Sequence, residues 1–157
     1  MDEKTLSAIV NSVASQLVDA DMTLDVALKL SEKVKAKAKE LGVKAVVAVS
    51  NKAARPVLVE CMDDSYIASY DVAFNKAYTV VALKMSTSEL KKLSQPGGSL
   101  YGIQFTNDGK IVIFGGGEPL YNKAGKLIGG LGVSGGSEEQ DTALAQYGKE
   151  IFSTMDL

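Results

Sequence analysis

A chain of 157 residues that is 46% hydrophobic and 23% charged has the material for one packed domain, and it carries no apolar run approaching the ~20 residues a membrane span needs. Its 17 basic and 19 acidic residues give a net charge of −2 with no basic stripe, so neither nucleic acid nor a membrane surface is an expected partner. Histidine is absent, which removes Ser-His-Asp and Cys-His nucleophile systems and every histidine metal ligand.

The N-terminus, Met1-Asp2-Glu3-Lys4, lacks the basic start of a signal peptide, and a single cysteine, Cys61, cannot form an internal disulfide. The expected compartment is the cytoplasm. Residues 5–20 place Leu6, Ile9, Val10, Val13 and Leu17 at helical spacing, predicting a first helix. Thr23 is the expected N-cap of a second, with Leu24, Ala27, Leu30, Val34, Ala38 and Leu41 on one side and Gly42 at the C-cap position. Its lysines, Lys33 to Lys39, alternate with Val34, Ala36 and Ala38 and read as the wet side of that helix.

Residues 43–49 form a β-branched run, and Pro56-Val57-Leu58-Val59-Glu60-Cys61 a second strand, joined by a short turn as a hairpin. Cys61 reads as a small core residue at the strand end. Asp64 or Ser65 is expected to cap a helix reaching Lys84, with Ile67, Tyr70, Ala73 or Phe74, Ala77 and Val81 inward. Ser86-Thr87-Ser88-Glu89 is a capping box, and Gln95-Pro96-Gly97-Gly98 opens a loop. Three short strands are then predicted, at 110–114, 118–121 and 127–133. A last helix follows a second capping box, Ser137-Glu138-Glu139-Gln140. Paired strands with short turns imply an α+β fold, an antiparallel sheet with helices packed on it.

Gly130-Leu131-Gly132-Val133-Ser134-Gly135 spells a dinucleotide fingerprint. Only 22 residues follow it, too few for the parallel strand that would place an acid on the ribose, so it is a false match. Gly125-Lys126-Leu127 fails as a P-loop because Leu127 replaces the Ser or Thr. The local physics remains: Gly135 and Gly136 allow a sharp turn against the N–H groups of the last helix, where Ser134 and Glu139 flank a candidate ligand cradle. Three consecutive glycines, Gly115, Gly116 and Gly117, followed by Glu118, are costly to order and make sense where main chain approaches another molecule closely.

Phe114-Gly115-Gly116-Gly117-Glu118-Pro119-Leu120, then Ile128-Gly129-Gly130-Leu131-Gly132-Val133-Ser134-Gly135-Gly136, then Glu139-Gln140-Asp141 resemble the C-terminal signature of the GlcG/HbpS family, which includes the C-terminal domain of PduO-type proteins. Met62-Asp63-Asp64 and Asn75-Lys76-Ala77-Tyr78-Thr79 resemble two of its upstream segments, so the likeness covers roughly residues 5–152. The resemblance implies a five-stranded antiparallel sheet flanked by helices, profilin-like or PAS-like, self-assembly into homo-oligomers, and haem or a corrinoid as candidate ligand in a glycolate or diol utilisation setting. With no histidine, an iron ligand would be Cys61, a Met or a Tyr.

Three readings follow. The leading one is a non-enzymatic small-ligand-binding or accessory domain, its pocket walled by the two glycine loops. Its ligand-binding residues would be Lys76, Gly115, Gly116, Gly117, Glu118, Ser134, Gly135, Gly136 and Glu139, with an anionic small molecule or a tetrapyrrole as partner. The second is an enzyme on a small hydroxy or keto acid with Lys76 as base and Asp63 or Glu118 beside it, which requires burial to lower the lysine pKa. The third is an oligomeric or microcompartment building block.

Overall fold

In the computed structural model, which describes residues 1–17 and 19–155, helices α1 (Glu3–Leu17), α2 (Leu24–Glu40), α3 (Ile67–Leu83), α4 (Thr87–Leu93) and α5 (Glu138–Thr154) accompany strands β1 (Val46–Asn51), β2 (Pro56–Cys61), β3 (Gly117–Tyr121) and β4 (Leu127–Ser134). The caps behave as their residue types dictate. Thr23 Oγ1 accepts the Val26 N–H, and both capping boxes close, Ser86 with Glu89 and Ser137 with Gln140. Gly42 sits left-handed at φ 69° after α2, where a side chain would be strained.

The four strands form one antiparallel sheet in the order β2-β1-β4-β3. That corrects the expected five strands. The β-branched run at 110–114 joins no ladder: the Val112 N–H donates to Thr79 Oγ1 on α3 at 3.0 Å, and Ile111 buries its side chain. Its hydrogen bonding goes to a helix side chain, so the segment is a strap lying beside α3.

The sheet is the middle of three layers. On one face α2 and α5 pack against it, enclosing a core that includes Leu30, Val34, Val47, Leu131, Val133, Leu144 and Phe152. On the other face α3 lies across β1 and β4, and the contact is small-on-small, with Val46 and Ala48 facing Ala73 and Ala77.

Ala73, Ala77 and Val81 of α3 are buried as expected, but three expectations about helices need correction. In α3 the buried residues are Ser69, Ala73, Lys76, Ala77, Thr79, Val80 and Val81, while Ile67 is 96% exposed and Tyr70 is also exposed. A side chain added at Gly132 would stand 2.0 Å from the Ala73 carbonyl oxygen, and one at Gly130 would stand 2.4 Å from that of Ala77. A helix this close to a strand presents its small side and turns its bulk to solvent. Its N-cap is Tyr66, without a side-chain cap, not Asp64 or Ser65. The helix predicted over 5–20 appears as α1 and ends at Leu17. Val18 lies outside the described residues, and the apolar stripe of α1 joins neither core cluster.

Candidate functional site

Lys76 sits in the middle of α3 and is 0% exposed. A charged lysine is stable there only with compensation. Its Nζ donates to the Val133 carbonyl at the end of β4 (2.7 Å) and to Asp141 Oδ2 in the first turns of α5 (3.2 Å). The Phe114 ring lies 5.0 Å from Nζ, in cation–π range. Asp141 Oδ1 accepts the Gly136 N–H at 2.9 Å. Burial holds the Lys76 ammonium below the ordinary lysine value, and Asp141 offsets only part of that. Burial likewise pushes the Asp141 carboxyl up against the pull of Lys76 and the N–H groups of Gly136 and Gly135.

The glycine strap closes over this pair. Gly116 adopts φ 112°, and a Cβ on it would lie 2.5 Å from Lys76 Nζ and 2.7 Å from the Val133 oxygen. Its carbonyl accepts the Val133 N–H at 2.8 Å. The Gly115 N–H donates to Glu138, which also takes Lys91 Nζ at 2.6 Å, and these donors hold the Glu138 carboxyl below its ordinary value. The Gly117 N–H donates to Thr87 Oγ1.

Of the residues the sequence singles out, the structure therefore gathers Lys76, Gly115, Gly116, Gly135 and Gly136 around the start of α5, while Gly117 is held by Thr87 at the start of α4. Glu118 is buried elsewhere and pairs with Lys149 at 2.9 Å. Ser134 donates to Ser69, and Glu139 is exposed. Asp141, Glu138 and Phe114 were missed. Asp141 directly follows the second capping box, and no local pattern there points to Lys76, 65 residues earlier.

An open groove lies elsewhere, along the exposed end of β2. It has a volume of about 670 Å³ and is lined by Lys35, Lys39, Glu60, Cys61, Met62 and Asp63. Cys61 is exposed here, correcting its reading as a core residue: β2 is an edge strand, and its last position faces outward. Met62 is half-buried, its Sδ accepting the Ala45 N–H at 3.3 Å. Lys35 bridges Glu32 (2.7 Å) and Glu60 (3.0 Å). Burial raises the Glu60 carboxyl, but the Ser31 hydroxyl and Lys35 outweigh it, leaving the group below its ordinary value.

The two places differ in what they can do. The Lys76–Asp141 pair is sealed by its own chain and clamps four segments together. The groove offers a soft thiol, an exposed lysine, Lys39, able to meet a carboxylate, and an apolar thioether wall. That donor set fits an iron tetrapyrrole: thiolate is an established axial ligand, and propionates are met by cations. Among the described residues, no group of three or more His, Cys, Asp or Glu could hold a bare metal ion, and no helix is long and apolar enough to cross a membrane.

A family model described as haem degrading protein, HbpS-like, matches residues 22–150. The "uncharacterized 15.0 kDa protein in dhaT-dhaS intergenic region" of Citrobacter freundii is 45% identical over 136 residues, covering 87% of this chain and 95% of that protein. The corrinoid adenosyltransferase PduO of Salmonella typhimurium is 44% identical over 110 residues, 70% of this chain but 32% of PduO, so the match spans about a third of that enzyme. Among solved structures, the PduOC:haem complex superposes with a TM-score of 0.79 at 37% identity, covering 83% of this chain and 94% of that one.

Proposed function

The chain belongs to the HbpS-like family, and from that premise we propose that it is an accessory domain that binds haem or a related tetrapyrrole in the open groove beside β2. The observation that carries this reading is the donor set of that groove: the exposed Cys61 thiol beside Lys35 and Lys39, in a space of about 670 Å³, within the range of small-molecule sites. The likeness to a domain solved as a haem complex supports the ligand class. In this assignment Cys61 would ligate iron, Met62 would supply an apolar wall, and Lys39 would meet a propionate, with Lys35 beside it already bridging Glu32 and Glu60. The proposal is one of binding. Lys76, the base considered for an enzyme, is enclosed by Phe114 and Gly116 and does not line the groove.

Titration of the full chain with ferric haem, followed in the Soret region, tests the proposal. Saturable one-to-one binding is expected, with a spectrum of thiolate ligation that Cys61→Ala abolishes. Lys39→Ala should weaken binding by up to about fivefold, as expected for one exposed ion pair. Absence of saturable binding overturns the haem reading. Unchanged binding by both variants leaves the ligand class standing and removes the groove as its site.

A further inference from the structure

We propose that α1 joins copies of this chain, packing its apolar stripe against the same helix of other copies. Leu6, Ile9, Val10, Val13 and Leu17 are each between 47% and 79% exposed. None belongs to either core cluster, and α1 precedes the segment the family model matches. A 15-residue helix with three serines, a threonine, an asparagine and three β-branched apolar residues is a poor helix former, and helices of this length are marginal alone in water. Its stability has to come from a covering surface.

The stripe itself indicates what covers it. Leu6, Val10, Val13 and Leu17 are spaced 4-3-4, the a/d seam of helices that pack side by side, with the β-branched Val10 at an a position. Ile9 widens the seam to the three-in-seven face of a helix in a bundle. Between Thr5 and Leu17 there is no charged residue, so like helices meet without repulsion. The same absence of Lys and Arg disfavours an anionic membrane, whose surface helices carry basic polar faces. The segment after α1 is anchored to the domain: the Lys52 N–H donates to Asp21 Oδ1, and Lys52 Nζ pairs with Asp19. The helix is thus an appendage on a fixed base, and this inference does not depend on the haem reading.

Light scattering on the full chain over a concentration series tests it, comparing the wild type with Val10→Glu, Val13→Glu and a polar-face control, Asn11→Glu. The wild type and the control should form assemblies at least twice the mass of the two stripe variants, and should lose helical circular dichroism on dilution in parallel with mass. Because no described side chain of α1 joins the core, the variants should keep the cooperative unfolding of the domain, which checks that they fold. Equal masses for wild type and Val10→Glu at every concentration overturn the proposal. If the wild type is equal in mass to Val10→Glu but sediments with phosphatidylcholine–phosphatidylserine vesicles, the stripe is a membrane anchor and the proposal also falls.

Discussion

Lys76 shows how one side chain can organise a fold without meeting solvent. It reaches a strand end, a helix start and an aromatic ring from the middle of α3, and Gly116 has to be glycine to let it do so. Replacing it with methionine keeps the volume but strands the Asp141 carboxylate, and breaking a buried pair in this way costs about 3–5 kcal/mol. Lys76→Met should therefore unfold at lower denaturant concentration with an unchanged slope, and Lys76→Met/Asp141→Asn should recover part of the loss. The pH dependence has a fixed sign. Folded Lys76 releases its proton below the unfolded value of 10.5, so in that window the unfolded chain binds more protons and the stability owed to Lys76 rises with pH. The gap between wild type and Lys76→Met should widen from neutral pH toward 10.5; a narrowing gap refutes the burial-dominated environment. The sequence made Lys76 conspicuous through its neighbours, but its partner is 65 residues away, and no local pattern pairs them.

Between elements, the α3–β4 contact determines which half of a helix is hidden. The expected inner stripe of α3 joins Ile67 and Tyr70 to Ala73 or Phe74, Ala77 and Val81; the glycines of β4 leave room for its small members Ala73 and Ala77, and Val81 is buried with them, while Ile67 and Tyr70 turn to solvent. The strand's composition, Gly129-Gly130-Leu131-Gly132, held that information, because a strand stripped on one face accepts a close helix and little else. Gly132→Ala would push a methyl into the Ala73 carbonyl, and overpacking against backbone should cost about 1–3 kcal/mol or more. Ile67→Ser, on the exposed side, should change stability by no more than about 0.5 kcal/mol. Denaturant melts of both variants decide the orientation: if Ile67→Ser proves the more damaging, the assigned face is wrong. The missing fifth strand has a similar origin. Lys110-Ile111-Val112-Ile113-Phe114 has strand-like residues, but a strand is defined by a partner, and Thr79 took the Val112 donor first.

Across the whole molecule, the two hairpins were legible because short turns join β1 to β2 and β3 to β4, whereas the pairing that unites them was not. β1 meets β4 across some 80 residues, Val46 opposite Ser134 and Asn51 opposite Gly129, and only the assembled core selects that register. The exposure of Cys61 was hidden for the same reason, since an edge strand is known only once the order β2-β1-β4-β3 is known. That order also ranks the parts by how hard they are to open. β1 and β4 have neighbours on both sides and helices on both faces, so their amides can exchange with solvent only when the domain unfolds. β2 has a free edge in a single chain, so its amides that find no partner in β1 should exchange through local opening, well ahead of those of β1. Hydrogen exchange on Val10→Glu, in which α1 no longer links copies, should give the sequence α1 fastest, β2 next, β1 and β4 slowest. If β2 exchanges as slowly as β1 there, another subunit covers that edge, and the groove holding Cys61 lies in an interface, not on an open surface.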